Sequence, residues 1–140
     1  MTPAWLPYAL LSALFAALTA ILAKVGVKNV DSDLATAIRT VVIMVVAWGL
    51  VLAHGTATQL GSLPGRTWVF LVLSGLATGA SWLCYFRALK LGPVSRVAPV
   101  DKLSVALVLL LAVAFLGEPL TWRAALGTGL IVLGSVVLIK

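Results

Sequence analysis

The stretch Gly92-Pro93-Val94-Ser95-Arg96-Val97-Ala98-Pro99-Val100-Asp101-Lys102-Leu103-Ser104 leads straight into an apolar run, Val105 to Leu116. A helix begun near Val94 carries Asp101 and Lys102 seven and eight residues inside it. At 1.5 Å per residue, those two groups lie about 10–12 Å along the axis. An acid and a base that deep in an apolar helix are costly to place, and in lipid such residues mark function by default. The rest of the chain reads as a scaffold that holds them.

Of the 140 residues, 62% are hydrophobic and 10% are charged. A soluble domain carries about 25% charged residues, so lipid is the expected solvent here. The net charge of +6 does not indicate nucleic acid, because the basic residues are scattered and the aromatic ones lie within apolar runs. Cys84 and His54 are the single cysteine and histidine, which leaves nothing for a disulfide framework, a zinc site or His-based catalysis. No metal, cofactor or catalytic residue is expected. HExxH, GxSxG and P-loop motifs are absent, and Gly127-Thr128-Gly129 lacks the strand that a nucleotide-binding turn requires. No basic residue precedes the first apolar run, and that run is longer than an ordinary signal core, so it is expected to be a retained helix.

Five helices are predicted, at about 5–24, 34–53, 67–89, 94–116 and 122–139. In the first, Ser12, Ala16, Ala20 and Lys24 recur every four residues and form a small-residue stripe closed by a cation. Asp31, Ser32 or Asp33 is placed to cap the second helix. The third contains Gly75 and Gly79, a GxxxG pair that permits close helix packing, and ends in the cluster Trp82-Leu83-Cys84-Tyr85-Phe86-Arg87. In the fourth, Pro99 lacks an amide hydrogen and is expected to kink or thin the helix just before Asp101. Gly127 and Gly134 share a face of the fifth. The five tryptophans fall mostly near segment ends, as interface anchors do.

Five spans put the termini on opposite sides of the membrane. Arg66 and Arg123 lie on the N-terminal side; Lys24, Lys28, Arg39, Arg87, Lys90, Arg96, Lys102 and Lys140 lie on the other, two against eight. The positive-inside rule then places the N-terminus outside and the C-terminus in the cytoplasm. Removing Lys24, Arg39 and Lys102, which sit within helix ends, leaves two against five and the same sign.

The stretches Ala35-Thr36-Ala37-Ile38-Arg39-Thr40, Tyr85-Phe86-Arg87-Ala88-Leu89, Ser95-Arg96-Val97-Ala98-Pro99 and Phe115-Leu116-Gly117-Glu118 occur in order along nearly the whole chain. With them the chain resembles the EamA family of the drug/metabolite transporter superfamily. The Pro99-to-Ser104 variant and the length look most like its short, single-repeat bacterial and archaeal branch. The resemblance implies an all-α integral membrane domain over residues 1–140. It also implies a multi-helix secondary transporter, an exporter of a small organic metabolite across the cytoplasmic membrane by alternating access. Typical members carry two inverted repeats and ten helices, and this chain carries one. A dimer is therefore expected: an inverted homodimer, a parallel dimer, or a pair with a related, oppositely oriented five-helix chain. The charge bias argues against the inverted homodimer.

Asp101 and Lys102 are read either as groups in a watery hollow, with Asp101 taking a coupling proton or cation and Lys102 an anionic group, or as part of a structural intramembrane ion pair with Lys24 or Arg39. Adjacent helical residues point about 100° apart, so each is expected to meet another helix or water rather than its neighbour. Lys24 and Arg39 are read either as binding residues or as side chains reaching to the interface. Trp82, Tyr85 and Phe86 are read either as cavity lining or as an aromatic belt. Pro99 and Glu118 are candidates for hinge or gate, Glu118 otherwise being a helix-terminus acid. A flippase for a lipid-linked carrier and a non-transporting membrane subunit are the other readings.

Overall fold

The computed structural model describes residues 3–139; Lys140, counted in the charge bias, lies outside them. The described residues form α1 (Leu6–Gly26), α2 (Ser32–Ala53), α3 (Gly65–Leu91), α4 (Val94–Asp101), α5 (Ser104–Leu116) and α6 (Trp122–Ile139). A 3₁₀ segment, Thr56–Ser62, joins α2 to α3, and no strand occurs among the described residues. Five stretches are long and apolar enough to cross a membrane, the fourth being α4 and α5 together (Val94–Leu116). The chain is thus an all-α integral membrane protein with five spans.

The surface says the same. Leu14, Val108 and Phe115 are 55%, 63% and 81% exposed, and the described hydrophobic core is only Ala20, Ala23, Val27, Phe86, Leu89 and Ala112. Leaving one large apolar side chain in water forfeits about 1.5–3 kcal/mol. Dozens do so here, which only a lipid surround makes tolerable.

Local chemistry sets the helix ends. The Asp31 carboxylate caps α2, its Oδ1 accepting from the amides of Asp33 (2.9 Å) and Leu34 (3.2 Å). These two bonds, Leu34 first, hold its carboxyl below the usual range, and Lys90 and Arg87 add to the effect. α3 runs two residues further at each end than its apolar run suggested. The Pro64 carbonyl accepts from the Thr67 and Trp68 amides at the start, and Gly92-Pro93 follows the end. At the end of α5, Gly117 takes φ +67°, and the amides of Gly117 and Glu118 both reach the Ala112 carbonyl. That left-handed turn is open to glycine at no Cβ cost. α6 is capped by the Thr121 hydroxyl, which accepts from the Ala124 amide at 3.2 Å.

The chain divides into two compact units. One takes residues up to Ile21 and from Leu91 onward; in it α6 packs on α4 and α5. The other, Leu22 to Lys90, holds the end of α1 with α2 and α3. Only the last part of the α1 small-residue stripe is covered: Ala20 is buried, whereas Ser12 and Ala16 are exposed. A Cβ built on Gly75, Gly79, Gly127 or Gly134 would meet no atom within 4 Å. The close approach these glycines allow is therefore not used by any described neighbour in this chain.

Candidate functional site

In the unit containing α4–α6, the fourth span breaks. Pro99 sits inside α4, and the helix carries on past it to Asp101. The break therefore falls just after Asp101, not just before it as the proline alone suggested. The backbone there overwinds. Lys102 N donates to Pro99 O (3.1 Å), Leu103 to Val100 (3.0 Å), Val105 to Lys102 (3.0 Å) and Ala106 to Leu103 (3.1 Å), all three residues back. This is a 3₁₀ turn, which keeps these amides bonded while the axis changes. A proline loses its own donor and crowds the carbonyl four residues back, so Pro99 by itself does not account for a break two residues after it.

At this break the Lys102 Nζ lies 3.5 Å from the Asp101 Oδ2. The two side chains therefore do meet, contrary to the expectation from helical angles. The reason is geometric: the regular helix ends at Asp101, and the long lysine stem folds back. Their side chains are 41% (Asp101) and 56% (Lys102) exposed, so within one chain they lie on the surface and not in an enclosed hollow. The Lys102 stem borders an open groove of about 420 Å³ between α4 and α6, with Ala98, Pro99, Leu130, Gly134 and the buried Ser135.

In the unit containing α2 and α3, a second charged cluster forms. Trp82 and Phe86 are four residues apart on α3 and so share a face. Arg39, from the second turn of α2, lies over both: its guanidinium carbon is 4.3 Å from the Trp82 ring centroid and 5.2 Å from that of Phe86. Tyr85 meets Phe86 edge-on at 6.5 Å. Thr36 and Thr40, on the Arg39 side of α2, donate their hydroxyls to the carbonyls of Ser32 and Thr36 (2.8 Å each). Lys24 donates from Nζ to the Leu89 carbonyl near the C-terminal end of α3, where a cation suits the helix dipole.

The structure thus brings Arg39, Trp82 and Tyr85 together, with Phe86 completing the stack. It pairs Asp101 with Lys102 and ties Lys24 to α3. Glu118 is exposed in the loop after α5 and does not cap α6, a role taken by Thr121. The i,i+4 spacing of Trp82 and Phe86 was a legible signal for the stack; that Arg39 would lie on it was not.

Five apolar spans, a charged break in the fourth and a cation–aromatic cluster between the second and third define a polytopic helical membrane protein. The EamA-like transporter family matches residues 3–140, and the chain belongs to that family. It is 56% identical over 138 residues to a protein from Sinorhizobium sp. described as an uncharacterized transporter in the cobO 3′ region, covering 99% of this chain and 98% of that one. No solved structure matches the chain. Family and relative together point to a membrane transporter rather than an enzyme.

Proposed function

We propose that residues 1–140 act as one EamA-like domain in a secondary transporter that exports a small organic metabolite across the cytoplasmic membrane by alternating access. The observation that carries this reading is the Asp101–Lys102 pair at the 3₁₀ break. It lies about 10 Å inside a membrane span, by helix rise from Val94. Broken helices with ionisable groups at membrane depth are where transporters hold substrates and coupling ions. Asp101 takes the coupling proton or cation, Lys102 takes an anionic group, and Pro99 with the overwound turn supplies the hinge.

The pair is exposed in one chain, and an exposed pair at that depth would face hydrocarbon. A second five-helix chain that covers it completes the pathway, so the working unit is a dimer. The unfilled glycine faces of α3 and α6 supply surfaces close enough for such packing. The charge bias orients the N-terminus outside and the C-terminus in the cytoplasm, which favours a related, oppositely oriented partner over an inverted homodimer.

The test is transport by purified protein in proteoliposomes under an imposed proton gradient, with candidate solutes first ranked by thermal shift. Asp101→Asn removes the charge at nearly constant volume. Full transport by that variant would overturn the coupling role. Reporter fusions to the C-terminus test the orientation, and signal from both sides of the membrane would restore the inverted homodimer.

A further inference from the structure

Arg39 is the feature that the proposed coupling mechanism leaves unused. It lies seven residues after Ser32, the first residue of α2, hence about 10 Å along a membrane span. Its guanidinium carries five N–H donors in a planar fork. Its central carbon lies over the Trp82 and Phe86 rings, whose quadrupoles favour the charge but offer no oxygen to its donors. Among the described residues, no carboxylate pairs with the guanidinium and no hydrogen bond holds it; Tyr85 acts on it electrostatically. The nearest hydroxyls on its helix, Thr36 and Thr40, are turned to their own backbone. Asp31 is occupied by the amides it caps, and Asp33 accepts the Ser32 hydroxyl at 3.4 Å. A guanidinium held over two aromatic rings in a low-dielectric setting, with no carboxylate paired to it, is a fork without its carboxylate.

The surroundings carry the same sign. Lys24, Lys28, Arg87 and Lys90 belong to the same end of this unit, where Lys24 bonds to Leu89 and Asp31 feels Lys90 and Arg87. With Arg39 these are five cations against the two carboxylates of Asp31 and Asp33, an excess of three positive charges. Such an excess draws an anion toward the cluster before any contact is made.

From this arrangement we propose that Arg39, held over Trp82 and Phe86, is an oxyanion-binding site, taking a carboxylate or phosphate group through two parallel N–H···O bonds. The inference deepens the transport reading and rests on it for the identity of the solute, which becomes an organic anion. As a binding site it stands without that reading. A free solute and an anionic lipid headgroup offer the same chemistry, and the test separates them.

The protein is reconstituted into phosphatidylcholine nanodiscs as a variant whose sole tryptophan is Trp82, with the other four replaced by phenylalanine. Its emission is followed during titration with benzoate and, separately, inorganic phosphate, with choline chloride as the ionic-strength control. A saturable change with either oxyanion and not with chloride is expected. Arg39→Gln weakens it at least about tenfold, and Arg39→Lys gives an intermediate loss, because lysine keeps the charge but not the fork. Circular dichroism and size-exclusion profiles confirm that the variants are folded. No saturable change in folded protein, or equal titration of Arg39→Gln, overturns the site.

Repeating the titration in nanodiscs containing phosphatidylglycerol assigns the source. A rightward shift there identifies a lipid headgroup as the resident anion, and an unchanged curve identifies a free solute; both support an oxyanion site. Asp101→Asn that abolishes transport yet leaves the titration intact supports both proposals separately. A titration that persists in protein shown not to transport supports the site and removes the transport reading alone.

Discussion

The α4–α5 break and the Arg39 stack resolve one problem in two ways. Each places charge about 10 Å along a helix whose surroundings are hydrocarbon. At the break, opposite charges sit on adjacent residues and neutralise each other locally, 3.5 Å apart. At the stack, a single cation is held by two aromatic faces and keeps its formal charge. The first arrangement is electrically complete but exposed, so it needs covering. The second is half-covered but unbalanced, so it calls for an anion. A carrier that must bind and release needs sites that are incomplete alone, and these two are incomplete in different respects.

The largest expected effect comes from breaking the pair. Asp101→Asn strands Lys102 at membrane depth, and transport should fall by roughly 5–150-fold, in line with site-coupling energies of about 1–3 kcal/mol. Asp101→Asn combined with Lys102→Gln should recover expression in membranes but not transport, as measured by solute flux in proteoliposomes. Recovery of flux would reduce the pair to a structural bridge.

Next in size is the stack. Trp82→Ala removes the closer ring and should cost about 0.5–2 kcal/mol of stability, seen as a lower melting temperature in detergent, whereas Trp82→Phe should recover most of it. Equal loss in both variants would mean that indole size, rather than the face beneath the guanidinium, matters.

Glycines sharpen the contrast between what the chain uses itself and what it leaves to a neighbour. Gly117→Ala forces a Cβ into the left-handed turn and should destabilise by about 1–2 kcal/mol. Gly75→Ala meets open space and should stabilise the isolated chain by about 0.5–1 kcal/mol through helix propensity. Gly75→Leu with Gly79→Leu should not lower the melting temperature of the chain but should weaken dimerisation, read by crosslinking in membranes. Undiminished crosslinking would move the dimer contact off this face.

The smallest effect concerns the α2 cap. The folded carboxyl of Asp31 titrates below its unfolded value, so its stabilisation is present above the unfolded range near pH 4 and is lost as pH falls through the folded value. Asp31→Asn keeps the cap but loses the charge, and should flatten the acid limb of the stability curve with little change at neutral pH.

Much of the fold was readable because lipid imposes simple rules. With no water to satisfy the backbone, an apolar run of span length becomes a helix, and all five spans appear within about two residues of their sequence-derived bounds. Asp31 was one of three legible caps because Asx chemistry is local. The register of the break was less legible: Pro99 announced an interruption, yet its position after Asp101 depended on how later amides found carbonyls three residues back. Glu118, read as a gate or as a helix-terminus acid, lies exposed in the loop before α6, whose start at Trp122 is capped by Thr121 instead.

The sequence by itself determined that this chain has five membrane-spanning segments, their bounds to within about two residues, and which family it belongs to, because apolar length and turn residues act within a few positions along the chain. Tertiary structure alone decided that Arg39 lies on Trp82 and Phe86, that Lys24 reaches the end of α3, and that Asp101 and Lys102 pair on an exposed face. Arg39 is 43 residues from Trp82 and Lys24 is 65 from Leu89. Contacts at such separations follow from how helices pack in three dimensions, which periodicity along one helix does not encode.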